Sequence, residues 1–364
     1  MFKNRYIRII LYIASVSALN AHEGFAADRG NIYYNLNVHR GRMTPHYALQ
    51  AELNRDKITG LDWSAVFLKS NEATVISPVP GLGYYLSNLG NNEVYGYVHA
   101  AYFNMLLPLV TGAYPIQLKL GLGPAYVTRK YDPDHNPLNR ALGSHANAYG
   151  QISLTGGIPI IRDRWLLRAG ISFHHVSNGL LKAPNQGINT LTFHAGADLS
   201  SSHRHSGAFT LGRDRTEKHS FHLSVASGIK EVDEAAGKKI FTSGLLLDYA
   251  YGILPALNAG VGVGLYYNDT WAYGPYSSYG KEEAPVPFQS AVHLVLELEK
   301  NPVTVLLNPG FYIYKPAEDT PDFTGRLGMR YAFKNNLTLM FAVKHHWFAL
   351  ADYFEWGIGY RFVR

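Results

Sequence analysis

His175 and Ser177 stand two positions apart in the run Phe-His-His-Val-Ser-Asn-Gly at 173–179, and Asn189 ends the run Pro-Asn-Gln-Gly-Ile-Asn at 184–189. A serine hydroxyl is a weak nucleophile until a histidine takes its proton, and the histidine needs a third group to fix its tautomer. These residue types are therefore the parts of a nucleophilic hydrolase. Geometry alone leaves a second reading open, in which His175 and Ser177 are polar side chains resting at the headgroup level of a membrane.

Whether the residues can meet depends on the elements that carry them. On a strand, residues two apart share a face. From Trp165 the odd row is Trp165, Leu167, Ala169, Ile171 and Phe173, whereas Arg168, Gly170, Ser172 and His174 occupy the even row. His175 and Ser177 continue the apolar row, and His174 falls on the polar one as a structural residue. In the next strand Asn189 heads the row Leu191, Phe193, Ala195, Ala197 and Leu199, opposite Thr190, Thr192, His194 and Asp198. The trio thus shares the apolar side of two neighbouring strands. Polar groups placed there cost stability, which asks for a function.

The same alternation recurs along the chain. Ile116, Leu118, Leu120 and Leu122 alternate with Gln117, Lys119 and glycines. Leu257 to Tyr267 and Phe354 to Phe362 repeat the pattern, with Glu355 and Arg361 on the polar side of the last strand. A soluble sandwich would pair an apolar inner row with a polar outer one; a membrane barrel inverts this, with lipid outside and a polar lumen. The fold class is therefore all-β, an antiparallel transmembrane β-barrel of about 12–16 strands. Turn signals divide it into eight strands within 31–199 and eight within 218–363. Only His46 to Pro80 is ambiguous, fitting one long bent strand or two short ones. Two architectures suit this count. The rarity of tandem barrels favours a single barrel over two eight-stranded units. Asp132 to His145, Asn178 to Gly187 and Asn268 to Ala284 are long and polar and are expected outside. Gly252 to Pro255, Lys300 to Pro302 and Lys334 to Asn336 are short and are expected in the periplasm, as is the polar connection 200–218.

Composition narrows the class further. The 364 residues include 26 tyrosines and 35 glycines, with 16% charged residues, as interfacial aromatic girdles and close-packed strands require. Beyond the N-terminus no apolar run reaches the length of a membrane helix. The absence of cysteine excludes thiolate metal sites and a cysteine nucleophile. No calcium or zinc spacing and no phosphate-cradling glycine motif occurs, so no metal or cofactor is expected, and nothing suggests nucleic-acid binding. The net charge of +6 suits contact with anionic lipopolysaccharide, or simply scattered loop and lumen charges. Lys3, Arg5 and Arg8 before the apolar stretch Ile9 to Ala18 read as a signal peptide within 1–26, cleaved after Ala18 or Ala26. A second polar cluster, Lys344-His345-His346 with Asp352 and Glu355, lacks a serine at useful spacing. It reads as a structural group, with His345 on the outer row of Leu337 to Val343. The aromatic C-terminal strand resembles the closing strand that outer-membrane proteins present to the barrel assembly machinery.

At His175, Ser177, Asn178 and the stretch Lys182-Ala-Pro-Asn-Gln-Gly-Ile to Asn189, the sequence resembles the lipid A 3-O-deacylase (PagL) family. The likeness extends more loosely over 31–199, through Tyr131-Asp132, Asn136-Pro137 and Gly143-Ser144. It implies an eight-stranded barrel, which favours two units over one. It also implies a metal-free Ser-His-Glu triad that removes the acyl chain ester-linked at the 3-position of lipid A. Carried across, Ser177 is the nucleophile, His175 the general base and then acid, and the Asn178 and Gly179 amides the oxyanion hole. Asn189 stands where the family has glutamate, and 200–364 has no counterpart in compact members. The domain expectation is thus a catalytic barrel half at 27–199, the connection 200–218 and a C-terminal barrel half at 219–364. The expected function is an outer-membrane, multi-pass serine esterase acting on lipid A or a related outer-leaflet lipid. The rival is a non-catalytic barrel, structural or a narrow pore.

Overall fold

Alternation along each strand sorts side chains between a polar interior and an apolar exterior, and hydrogen-bonded pairing closes the strands into rings. A computed structural model describes residues 31–68, 78–110, 114–161, 165–200, 218–231, 237–254, 256–268, 270, 287–316, 321–347 and 350–363. The expected export segment, 201–217 of the connection and most of the Asn268 to Ala284 loop lie outside these residues. The first half contains β1 (Asn31–Thr44), α1 (Ala48–Leu53), β2 (Ile58–Leu68), β3 (Val79–Asn88), β4 (Tyr97–Val110), β5 (Ile116–Val127), β6 (Ala146–Ile161), β7 (Trp165–Ser177) and β8 (Ile188–Ser200). The second contains β9 (His219–Glu231), β10 (Lys239–Leu254), β11 (Leu257–Asn268), β12 (Phe288–Lys300), β13 (Val303–Tyr314), β14 (Phe323–Ala332), β15 (Leu337–His346) and β16 (Leu350–Val363).

These strands form two closed eight-stranded antiparallel barrels, and the preference for a single larger barrel is corrected accordingly. The reason lies in the edges. β8 pairs with β1 from Tyr33↔Ser200 to Thr44↔Asn189, which leaves no open edge to accept β9. β9 instead pairs with β16, from Ser220↔Val363 to Ser227↔Trp356. Each ring thereby removes its own edges. The ambiguous stretch after β1 becomes α1 followed by β2 and β3. Ala-Leu-Gln-Ala-Glu-Leu consists of strong helix formers without a β-branched residue. Asn54 ends the helix, its Nδ2 donating to Met43 O at 3.3 Å. α1 buries Gln50 and Leu53 towards the first barrel.

At the end of the first barrel that carries the long loops, Leu53, Leu89, Val94, Tyr95 and Leu142 pack with the inward-facing Val127, Val176 and Ile188 into one apolar cluster. Asn139 and Asn136 secure this cap by donating to Val94 O at 3.1 and 2.9 Å. Below it the lumen is filled by polar pairs, including Lys119–Asp62 at 2.6 Å and Arg168 Nε–Asp198 at 2.6 Å.

The second lumen is tied across its diameter: Arg330 on β14 reaches Asp248 on β10 at 3.2 Å, and Arg361 on β16 reaches Glu299 on β12 at 2.9 Å. Arg330 also meets Glu297 at 2.7 Å. Asp352 joins Lys230 at 2.5 Å and Lys344 at 3.1 Å, and Glu355 pairs with Arg326. The second cluster seen in the sequence is thus interior pairing. His345 keeps to the outward row, paired with Gly325 of β14 beyond the outward pair Val343 and Leu327. Its ring lies over Gly325 and stacks on Phe323, which leaves it only 5% exposed; the register shift beside it puts the extra residue, Asp352, on β16. Arg330→Met removes the guanidinium shared by Asp248 and Glu297, two buried carboxylates that keep contacts to His293 and Asn258, so the second barrel should lose about 3–5 kcal/mol of stability. A lowered unfolding temperature in detergent, read by circular dichroism, checks this; an unchanged one contradicts it.

Candidate active site

Pairing between β7 and β8 sets His175 directly opposite Asn189, while β6 sets Gly150 opposite His175 and Ala148 opposite Ser177. The outward row holds as far as the site: Phe173 is exposed and His174 is buried. His174 bonds to Tyr149 Oη at 2.8 Å and Thr192 Oγ1 at 3.1 Å inside the barrel, as a structural residue would.

His175 Nδ1 lies 2.5 Å from Asn189 Oδ1, and His175 Nε2 lies 2.9 Å from Ser177 Oγ. An amide oxygen only accepts, so Nδ1 carries the imidazole proton and donates it to Asn189. Nε2 is then bare and accepts from the Ser177 hydroxyl. This is the tautomer a serine nucleophile needs. The order of contacts is that of a Ser-His-acid unit with an amide in the third place. The amide fixes the ring without supplying the charge that would stabilise an imidazolium.

Ser177 ends β7, and the loop after it turns sharply. Gly179 and Leu180 both take positive φ, 57° and 58°. Asn178 anchors the turn, its Nδ2 donating to Lys182 O at 2.8 Å and to Ser144 Oγ at 3.1 Å. The Asn178 N–H, expected in the oxyanion hole, donates instead to Asn185 Oδ1 at 2.8 Å. The Gly179 N–H has no acceptor among the described residues. Neither does Asn185 Nδ2, which is shielded from solvent.

Several supporting residues were not singled out from sequence. Gly187 has φ 70°, and a Cβ built on it would stand 3.0 Å from His175 Cε1. Its backbone is held from two sides, by Gly187 N–H to Ala141 O at 3.0 Å and by Gln50 Nε2 to Gly187 O at 3.1 Å. The glycine inside 184–189 was a usable signal for a special backbone conformation. Gln50 gave none, because α1 lies in the stretch whose strands were ambiguous. Gly187→Ala should press on the His175 ring and strain the loop, lowering turnover by roughly tenfold to a hundredfold while both barrels stay closed. Initial-rate kinetics beside heat-modifiable gel mobility would show this; an unaltered rate would mean that the contact is irrelevant.

The outward surface beside the pair is shallow. A Cβ on Gly150 would meet nothing within 4 Å, and the outward row of β6 there is Ala146, Ala148 and Gly150 before the bulkier Ile152. An apolar chain can lie against β6 and bring its end to Ser177. One carboxylate cluster lies elsewhere, Asp132, Asp134 and His135 in the long β5–β6 loop. Asp132 Oδ1 there accepts the Asp134 and His135 amides at 3.0 and 2.9 Å, which accounts for it as a turn.

Comparison with known proteins divides the chain at the same place as the barrels. Residues 58–198 match the family described as lipid A 3-O-deacylase (PagL), and residues 219–364 match that described as acyloxyacyl hydrolase, C-terminal domain. None of the curated proteins compared matches the chain. Among solved structures, it is similar to OccK11 (OpdR) of Pseudomonas aeruginosa, with 12% identity and a TM-score of 0.24, covering 94% of this chain and 98% of that one. It is also similar to the translocator domain of the autotransporter NalP of Neisseria meningitidis, with 10% identity, a TM-score of 0.21 and full coverage of both chains. With the first barrel matched to the deacylases and the second to the acyloxyacyl hydrolase C-terminal domain, the chain belongs to the lipid A 3-O-deacylase (PagL) family of ester hydrolases.

Proposed function

We propose that this protein is a serine esterase of the bacterial outer membrane that removes an ester-linked acyl chain from lipid A or a related outer-leaflet lipid. The observation that carries the reading is the continuous Asn189–His175–Ser177 hydrogen-bonded chain on the outward face of the first barrel. It lies at the rim with the long loops, which in barrels of this kind face the exterior. A substrate ester in the outer leaflet reaches it laterally, without entering the lumen.

Each catalytic role falls to a residue of this chain. Ser177 Oγ attacks the ester carbonyl as His175 Nε2 takes its proton. The oxyanion is received by the Gly179 N–H and by Asn185 Nδ2, donors at the turn that have no acceptor among the described residues; the Asn178 amide keeps Asn185 in place. Collapse of the tetrahedral intermediate breaks the ester C–O bond, and His175 returns the proton to the departing sugar oxygen. Water then attacks the acyl-serine by the same route and releases the fatty acid. The acyl chain lies against Ala148 and Gly150. No step calls on a metal or cofactor. The aromatic outward row of β16 suits recognition by the barrel assembly machinery during insertion.

The rival reading as a narrow pore is disfavoured by the ion pairs that cross the second lumen and by the apolar cap on the first. Mass spectrometry of lipid A from cells with and without the protein tests the proposal. The expected result is loss of the mass of one ester-linked hydroxyacyl chain only in cells that carry it. Unchanged lipid A, with the protein folded in the outer membrane, would refute it. Within that assay Gly150→Phe should fill the acyl path and cut deacylation roughly tenfold or more, and full deacylation by this variant would rule out the path.

A further inference from the structure

The outward row of β9 runs Phe221, Leu223, Val225 and Ile229, all exposed, and then reaches Glu231. A carboxylate in that row faces the lipid side, yet Glu231 is 1% exposed. What covers it is the active-site loop of the other barrel. Glu231 Oε1 accepts from Lys182 Nζ at 3.0 Å and from the Ala183 N–H at 3.4 Å. The Glu231 N–H donates to Leu180 O at 2.7 Å, and Lys239 Nζ on β10 donates to Leu181 O at 3.1 Å.

Phe354 makes the same point from β16. It belongs to the outward row in which Trp356 is 48% and Ile358 66% exposed, but Phe354 is 6% exposed. Its ring packs so closely on Gly179 that a Cβ there would stand 2.7 Å from Phe354 Cδ2. Residues 179–183 are therefore gripped one after another by three neighbouring strands of the second barrel. Within that run Leu180 holds φ 58°, a conformation that a residue with a side chain keeps only where its surroundings impose it. The surroundings that impose it are the Glu231 amide on its carbonyl and the Phe354 ring on the preceding glycine.

We infer that the second barrel positions the oxyanion turn of the first, with Glu231 as the positioning residue. The inference rests on the esterase reading for its catalytic consequence. Glu231 touches no reacting atom. It acts through Lys182 and Ala183, and the Asn178 Nδ2 bond to Lys182 O carries that restraint back to the residue after the nucleophile. A misplacement of a donor by an ångström lowers the chemical step without weakening binding of the lipid.

The test uses the full chain, refolded in detergent, as wild type, Glu231→Ala, Glu231→Gln and Phe354→Ala, with Ser177→Ala as the zero. Lipid A in mixed micelles supplies kcat and KM, and hydrogen exchange read by mass spectrometry reports the amides of 178–187. Glu231→Ala should lower kcat about tenfold to a hundredfold with KM within about twofold, and should speed exchange in the loop. Glu231→Gln keeps an acceptor for both donors and should hold kcat within about threefold with slow exchange. Phe354→Ala should resemble Glu231→Ala, and it serves as the second variant if Glu231→Ala does not fold. Unchanged exchange in Glu231→Ala overturns the inference, and so does faster exchange with unchanged kcat. If wild type releases no fatty acid, the esterase reading fails on its own. The exchange data then still decide whether the second barrel holds the loop, with unchanged exchange counting against it.

Discussion

Ser177→Ala and His175→Ala are each expected to lower ester cleavage by on the order of 10⁴-fold or more, and the double variant to be no worse than either single one. The reason is the tautomer. His175 Nε2 can accept the serine proton only because Nδ1 carries its own proton to Asn189, so nucleophile and base act as one unit. Neither side chain supports the barrel. Both lie on the outward face beyond the polar lumen network, and their loss should leave folding intact. A long-chain alkyl phosphonate ester gives an independent reading. Wild type should gain one phosphonyl group, localised to the peptide that contains Ser177, and His175→Ala should gain none in the same time. Labelling at another serine, or equal labelling of both proteins, would separate the pair from the chemistry.

The second large effect concerns the amide. Asn189→Ala frees the imidazole to rotate and to take the unproductive tautomer, and a loss of about 10²–10⁴-fold is expected, since a triad with the wrong tautomer loses about 10⁴. Asn189→Glu should behave oppositely. A carboxylate at the same 2.5 Å contact accepts the same Nδ1 proton and adds a charge that stabilises the imidazolium formed in the transition state. Turnover should be retained or raised. Steady-state kinetics on folded protein distinguishes the outcomes. An alanine variant as active as wild type would show that Asn189 does not orient His175, and an inactive glutamate variant would show that the site has been rebuilt around an amide.

Much of this site was legible because alternation is a local property. His175 and Ser177 share a face by being two apart, and Asn189 joins them because the outward row of β8 starts there. The pairing then brings His175 opposite Asn189. Ring closure was not legible. β1 and β9 carry the same kind of alternating row, so the pattern says which side chains face out and not which strand β8 will pair with. The difference between one barrel and two rests on that choice alone. His345 shows a limit of parity: it keeps the outward row that alternation assigns it, yet its ring lies over Gly325 and against Phe323 and is buried there, which alternation does not foretell. The engaged Asn178 amide failed for another reason: Asn185 reaches it through a folded loop whose path is not periodic. Glu231 combines both difficulties. Its row is plain from the sequence, but the surface that buries it belongs to another ring.

The most direct measurement incubates purified, folded protein with lipid A and quantifies both products by mass spectrometry. For wild type, lipid A should lose one acyl chain with the appearance of one equivalent of free fatty acid, and Ser177→Ala should yield neither. If wild type and Asn189→Glu both release no fatty acid from lipid A or from phospholipid, or if Ser177→Ala releases as much as wild type, the account is contradicted.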